Sequence, residues 1–500
     1  MIKLCKTRNG KPMIIEDGFE YCFNSKNKAG TRKYWACTNR ETCKARIITN
    51  FDVEESIIVY KSAIHTHIGN PYCETVRQAT EIIKTIAKEN PNQAPSSIVQ
   101  EAIREIRDVD VLVDVSERTA LLKMVNRYQN STRPALPSHV QNCIIESPYN
   151  LTYTGNEFLR FDSGPFDANR VIIFYSDLGL KSIARSNQLY ADGTFDTVPR
   201  LFFQLYTIHA DIFGYTFPCV YVLCNKKNKV TYEKIYNHLI DACSIIGLSL
   251  SPESIMVDFE AASMVAIKNM FGNSRVKGCL FHLNQSLWRN IQNSGLSAHY
   301  RNPDEAILRY DIVSYLALAF LPPEDLINVF KELSFNQNPL LNDFIKFYGS
   351  NYIGVIKVGN EWEDVVPRFH PDVWSCYNSV LSGIRRTNNV VEGWHSRFQG
   401  AILAKHATIW KFIDFIKKDE RDNEILIIQL FGGHRKVRHP IKKRYILNNE
   451  RIESLVRSYD EFKRNNQVRV YLNSIGRLLK NNFFFIPEPN SEDPANQNIQ

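Results

Sequence analysis

Asp192 closes the apolar run Leu189-Tyr190-Ala191, and Asp258 closes Ile255-Met256-Val257. A short apolar run that ends on an acid reads as a buried strand presenting its carboxylate from a rigid stem. Two such acids on neighbouring strands can share a divalent cation, because Mg2+ and Mn2+ prefer oxygen ligands. Glu392 offers a third carboxylate. It lies in Thr387-Asn388-Asn389-Val390-Val391-Glu392-Gly393, where Thr387 or Asn388 can cap a helix and the helix dipole favours an acid in the first turns. Three carboxylates can hold two metals about 3.5–4 Å apart, an arrangement that activates one oxygen and stabilises another during in-line displacement at phosphorus. Against this stands the plain reading: three unrelated surface charges among 53 acidic residues. Glu260, two residues past Asp258, is either a substitute ligand or a charge at the start of a helix.

A second group suits a different metal. Cys37 and Cys43 bracket a turn, and His65 and His67 flank one residue at a strand end, which points both imidazoles the same way. Two thiolates and two imidazoles make the closed tetrahedral shell of a structural zinc ion. Two buried thiols and two surface histidines fit the spacing equally well. Cys5, Cys22 and Cys73 read as non-ligands. Cys279 and His282, at the end of a strand predicted over 275–281, can face one site. A zinc ion there would need two more ligands, with His395 and Cys376 as candidates. The reading favoured here keeps the pair beside the acidic site, with His282 bonding a phosphate or orienting the metal site.

Five hundred residues exceed one ordinary core and predict two or more domains. An apolar share of 44% and a charged share of 23% are those of a soluble globular chain, and a net charge of +8 mildly favours a polyanionic partner. No run approaches the roughly 18 apolar residues of a membrane span, so no membrane association is expected. Met1 to Lys6 lacks the apolar core of an export signal. Eleven scattered cysteines then predict reduced thiols, a few of them on metal, and a nuclear or cytosolic setting.

Residues 1–70 read as short strands and turns. They carry 12 Lys+Arg against 7 Asp+Glu, a net of +5, and a unit this small needs a staple. Residues 74–130 read as a helical connector of three helices, with Ser96-Ser97 capping the second. Arg118, Lys123 and Arg127 on the third are a solvated face or, in the rival reading, part of a helix-turn-helix DNA contact. Residues 131–139, with Pro134 and Pro137, read as a linker. In 170–282 a strand over 171–175 precedes an antiparallel meander over 189–195, 201–212 and 215–224. A helix over 231–246, a strand over 255–258, a helix over 261–270 and the 275–281 strand follow. Three strands, a helix, then alternating strand and helix is an order the ribonuclease-H-like α/β fold uses. Its first and fourth strands are adjacent, which makes Asp192 and Asp258 neighbours. Residues 283–385 read as a helical insertion, 386–430 as the last core helices, and 431–486 as a basic helical C-terminal region. Arg435, Lys436, Arg438, Lys442, Lys443 and Arg444 place six cations in ten residues, a phosphate-contacting patch, a nuclear localisation signal or a solvated face. Residues 487–500, rich in Pro, Asn, Glu and Gln, read as disordered.

Two stretches resemble known families. Phe19, Tyr21, Trp35, Cys37, Cys43-Lys44-Ala45-Arg46, His65 and His67 resemble a FLYWCH-type zinc finger over nearly all of residues 1–70. That implies a Zn2+-bound β module that binds DNA or, less often, protein, with Lys44 and Arg46 among the DNA-facing residues. The segment from about Val171 to Phe398 resembles the transposase domain of Mutator-like elements (MULE). The resemblance runs through Ile173-Phe174, Asp192-Gly193-Thr194-Phe195, Pro199, Phe203-Gln204-Leu205-Tyr206, Asp258-Phe259-Glu260, Cys279 with His282, and Thr387-Asn388-Asn389 with Glu392-Gly393. It implies a ribonuclease-H-like DDE core that cuts and rejoins DNA with Mg2+ or Mn2+, held by Asp192, Asp258 and Glu392. It also implies element ends as the DNA partner, a nuclear location and a homodimer by analogy. The alternative is a domesticated DNA-binding transcriptional regulator that keeps the fold without transposing.

Overall fold

Alternating apolar and polar residues build a six-stranded antiparallel sheet in which β1 (Lys3–Lys6), β2 (Pro12–Glu16), β3 (Phe19–Lys26), β4 (Arg32–Cys37), β5 (Arg46–Asn50) and β6 (Ile58–Ser62) pair in chain order. Asp17 and Gly18, both at positive φ (50° and 78°), make the two-residue turn that sets the β2–β3 register at Glu16 opposite Phe19. The core of this sheet is small: Ile14, Tyr21, Trp35, Cys37, Cys43, Ala45 and Ile47. Three helices follow, Cys73–Glu89, Pro95–Arg104 and Arg118–Ser131. They pack through Ile83, Ala87, Ile98, Val99, Leu121 and Val125. Ser96 and Ser97 do not cap the second helix. Ala94 holds the cap position and Pro95 starts the helix, where the absent N–H is no loss. In this computed structural model residues 2–7, 10–50, 57–62, 64–106, 111, 115–272, 275–335, 337–402, 406–434, 436–437 and 443–483 are described. They divide into two units, Met1–Ala135 and Leu136–Gln500.

The second unit is built on a seven-stranded sheet of order β13-β12-β9-β10-β11-β8-β7. Here β7 is Leu159–Asp162, β8 Val171–Phe174, β9 Gln188–Thr194, β10 Gln204–Ile212, β11 Tyr215–Cys224, β12 Ser254–Val257 and β13 Val276–Gly278. β9, β10 and β11 form the expected antiparallel meander, and β12 runs parallel to β9 on its other side. The period of two sorts the side chains. Val171, Ile173, Val220 and Val222 face a core shared with helix Lys229–Ile245. Ile172, Phe174, Tyr221 and Leu223 face the opposite core, shared with helices Asn389–Ile402 and Ile409–Phe431.

Three expectations need correction. The strand expected over 275–281 stops at Gly278, because its ladder partner β12 ends at Val257 and the next free N–H, that of Leu280, turns to the Arg386 carbonyl (3.0 Å). Cys279 then caps helix Leu280–Asn293, so His282 stands in a helical first turn rather than at a strand end. The strand expected from 201 begins at Gln204. The insertion is not wholly helical: beside helices Ala306–Ala317, Pro323–Leu333 and Asn342–Tyr348 it contains the hairpin β14 (Val355–Val358) and β15 (Glu361–Asp364), turned by Gly359-Asn360. The tail expected to be disordered, 487–500, lies outside the described residues.

Helix Ile409–Phe431 carries a buried acid. Glu420 is 6% exposed, and its Oε2 has no hydrogen-bond partner. Burial pushes its carboxyl up to about 7, with Glu424 and Asp419 adding repulsion against the pull of Ser176 and Arg421. The folded state therefore holds a proton that the unfolded chain releases near 4.5. This group leaves stability untouched below that pH, erodes it between 4.5 and 7, and keeps the full penalty above 7. Glu420→Gln should raise the thermal unfolding midpoint at pH 8.5, by a stabilisation of up to about 3 kcal/mol, and leave it nearly unchanged at pH 5. Equal shifts at both pH values would contradict this.

Candidate functional site

In the first unit Cys37 ends β4, Cys43 lies in the turn before β5, and His65 and His67 follow β6. One ligand atom from each lies within 4.8 Å of the others. Cys37 Sγ to His67 Nε2 is 3.2 Å, Cys43 Sγ to His65 Nδ1 is 3.3 Å, and the two imidazole nitrogens are 3.3 Å apart. A tetrahedral zinc shell with ordinary bond lengths has edges of about 3.3–3.8 Å, shortest between two nitrogens and longest between two sulfurs. The outer nitrogens are engaged as well. His65 Nε2 is bonded to the Tyr21 hydroxyl at 2.7 Å, and His67 Nδ1 to the Ile68 carbonyl at 3.2 Å. Metal-binding histidines are oriented by such partners. Phe19 stacks on His65 with ring centroids 3.6 Å apart. Burial pushes the Cys43 thiol up, but the backbone N–H groups of Thr66 and Ala45 outweigh it and bring the pKa down to about 7. The donor set, the separations and the partners of the outer imidazole nitrogens all fit structural Zn2+. Lys44 and Arg46 flank this shell with exposed side chains.

In the second unit the pairing of β9 with β12 brings Asp192 and Asp258 together at one end of the sheet. Gly193 lets β9 and β10 approach there, since a Cβ on it would fall 1.7 Å from Gln204 Nε2. Glu392 arrives from the first turn of helix Asn389–Ile402. The start of that helix is fastened to the β13 end across more than a hundred residues. The Leu280 N–H donates to the Arg386 carbonyl (3.0 Å), and the Asn388 N–H donates to Cys279 Sγ (3.2 Å). Asn388 takes the capping place through its carbonyl, which accepts from Val391 and Glu392, while its buried side-chain amide has no partner. Helix Ile409–Phe431 steadies the same segment through Asp419, which accepts from Trp394 Nε1 (3.0 Å) and the Tyr221 hydroxyl (2.6 Å).

His282 stands between two of the acids. Its Nδ1 lies 2.7 Å from Asp258 Oδ1 and its Nε2 3.4 Å from Glu392 Oε1. The 2.7 Å approach is an ion-pair contact lacking hydrogen-bond directionality, so Asp258 Oδ1, Glu392 Oε1 and His282 Nδ1 stay buried and unsatisfied. Burial lowers the His282 pKa, yet Asp258 and Cys279 outweigh it and hold it up at about 11. Burial and the neighbouring Asp192 push the Asp258 carboxyl up to about 6, against the opposing pull of His282. Burial likewise raises Glu392, while His395 keeps Asp192 below the usual carboxylate range despite its burial. Crowded carboxylates with unsatisfied oxygens are the chemistry a divalent cation would relieve.

His395 and Cys376 do not complete a zinc shell with Cys279 and His282. His395 Nδ1 lies 3.2 Å from Asp192 Oδ2, and the Cys376 thiol donates to the Trp374 carbonyl. The third member of the Cys279–His282 group is Glu392. The contact of His395 with Asp192 was missed, although its place three residues after Glu392 puts both on one helix face. Glu260 is engaged by the Tyr232 hydroxyl at 2.9 Å and holds the cap position of helix Ala261–Phe271, as a helix-start charge does. Of the basic cluster, Lys436, Lys443 and Arg444 are exposed; Arg435, Arg438 and Lys442 lie outside the described residues. Among the described residues no helix is long and apolar enough to cross a membrane.

No curated protein matches the chain. Two family models do. The FLYWCH zinc finger domain covers residues 4–67, which include the whole Cys37, Cys43, His65 and His67 shell. The MULE transposase domain covers residues 188–286, which include Asp192, Asp258, Cys279 and His282 but stop short of Glu392. The chain therefore joins a FLYWCH zinc finger domain to a MULE transposase domain.

Proposed function

We propose that the chain is a DDE-type transposase that cuts and rejoins DNA by metal-dependent phosphoryl transfer. The observation that carries this is the convergence of Asp192, Asp258 and Glu392 around His282, from two adjacent strand ends and one helix start. The order β11-β10-β9-β12-β13, with β12 and β13 parallel to β9, is the one a ribonuclease-H-like core uses and supports the same reading. Asp192, Asp258 and Glu392 would hold Mg2+ or Mn2+, which would supply Lewis acidity at the phosphate. His395 steadies Asp192, and Cys279 with Asn388 steadies the helix that bears Glu392. The zinc module, with Lys44 and Arg46 exposed, would recognise the DNA in the nucleus.

The test is strand nicking of supercoiled DNA by the full chain. Conversion to the nicked form is expected with Mn2+ and none with a chelator. DNA binding without nicking under Mn2+ would overturn the enzymatic reading and favour a DNA-binding regulator that keeps the fold.

A further inference from the structure

Asp192 and Asp258, two of the three acids, line a cleft of about 620 Å³ together with Glu260, His282, Arg289 and Arg368. A phosphodiester strand entering such a cleft meets carboxylates that repel it, so entry requires cations on the walls. Two are present. Arg289 lies on helix Leu280–Asn293, seven residues after His282 and on the same helix face. His282, Ser286, Arg289 and Asn293 all line the cleft, a polar stripe about 16 Å long at the helical rise. Successive phosphates of one strand advance about 3.4 Å along a duplex, so the stripe spans about five of them.

Arg368 comes from the loop after β15. Its neighbour Phe369 stacks on Tyr352 (centroids 5.5 Å) and meets Phe259 edge-on (4.9 Å). Phe259 adjoins Asp258, so an aromatic bridge fixes this loop to the strand end that bears an acid. Both arginines are exposed, and no carboxylate pairs with either among the described residues. Lys227 sits over Phe195 (5.2 Å) and Phe203 (5.8 Å) much as Arg368 sits over Phe369 (5.3 Å), but Lys227 also faces the Glu260 carboxylate, which engages its charge.

We propose that Arg289 and Arg368 form a phosphate clamp that holds the DNA backbone across the acidic site. This rests on the phosphoryl-transfer reading for the identity of the strand, and on the cleft alone for the binding. The clamp contacts charge and shape and reads no bases.

The experiment measures binding of the full chain to a fluorescein-labelled duplex of random sequence as salt is varied, in Ca2+. Each phosphate contact adds about 0.9 to the log–log salt slope. The Arg289→Gln, Arg368→Gln double variant should flatten the slope by about 2, and the corresponding double Lys variant should restore it. Arg464→Gln, exposed on another surface, should leave it unchanged. A slope unaltered in the double Gln variant, or flattened equally by Arg464→Gln, would overturn the clamp. A flattened slope in a chain that never nicks DNA would keep the clamp and remove the enzymatic reading. An unaltered slope with intact nicking would do the reverse.

Discussion

Exhaustive chelation of zinc, or Cys43→Ser, should unfold the β1–β6 sheet and leave the seven-stranded sheet intact. Among the described residues the core cluster of the first sheet holds seven side chains, and two of them, Cys37 and Cys43, belong to the zinc shell. His65 is tied to the rest through Phe19 stacking and the Tyr21 hydroxyl, so the ion organises the aromatic residues as well as the thiols. Structural zinc in small finger peptides binds with roughly 10–16 kcal/mol, well above what a core of this size supplies. The seven-stranded sheet has two extensive cores of its own and no share in that shell. Metal analysis should find zinc bound to the intact chain and absent from Cys43→Ser. Limited proteolysis should then cut within 1–70 while a fragment from the second unit survives. Unchanged protease resistance of 1–70 after the zinc has left would show that the sheet does without it.

Glu392→Gln should reduce Mn2+-dependent nicking by more than about 100-fold while circular dichroism and DNA affinity stay at wild-type levels. Changes to residues that merely support a metal ligand cost about 10–100-fold, and loss of a ligand charge costs more. The amide keeps the shape of the side chain, and Oε1 makes no hydrogen bond that the fold depends on. Replacement also relieves repulsion from Asp192 and Asp258, so a slight gain in stability is expected. Equal nicking by both proteins would move the chemistry to other residues or to a contaminant.

The strand ends bearing Asp192 and Asp258 were legible because each follows a short apolar run, and their adjacency followed from the order of elements. Residue type and spacing left the zinc shell level with two buried thiols and two surface histidines, and the resemblance to a FLYWCH-type zinc finger decided between them. Less could be read where the cause is tertiary. Nothing near Gly278 says that the Leu280 N–H will turn to a carbonyl more than a hundred residues away, so the strand was drawn three residues too long and the helix that bears His282 was started too late. The β14–β15 hairpin did carry a signal, alternation around Gly359-Asn360, but it was lost within a helical neighbourhood. The contact of Glu392 with His282 joins residues 110 apart, and no local pattern records it. Arg289 and Arg368 look like ordinary surface charges until the aromatic bridge from Phe259 places one of them beside the acids.

The two hydrogen bonds between residues 279–280 and 386–388, one backbone to backbone and one to the Cys279 sulfur, also bear on how this chain tolerates change. They bring the start and finish of the long insertion to one place, so the insertion hangs from the sheet as a closed excursion. The entropic cost of such a closure grows only with the logarithm of its length, about 0.6 kcal/mol for each doubling. Loop residues can thus be gained or lost inside the excursion at small closure cost, provided the junction at Cys279 and Asn388 and the contacts of Tyr352 and Phe369 with Phe259 survive. The distance in sequence between Asp258 and Glu392 is then set loosely by the loops, while the junction and the packed aromatic residues are the parts that cannot drift.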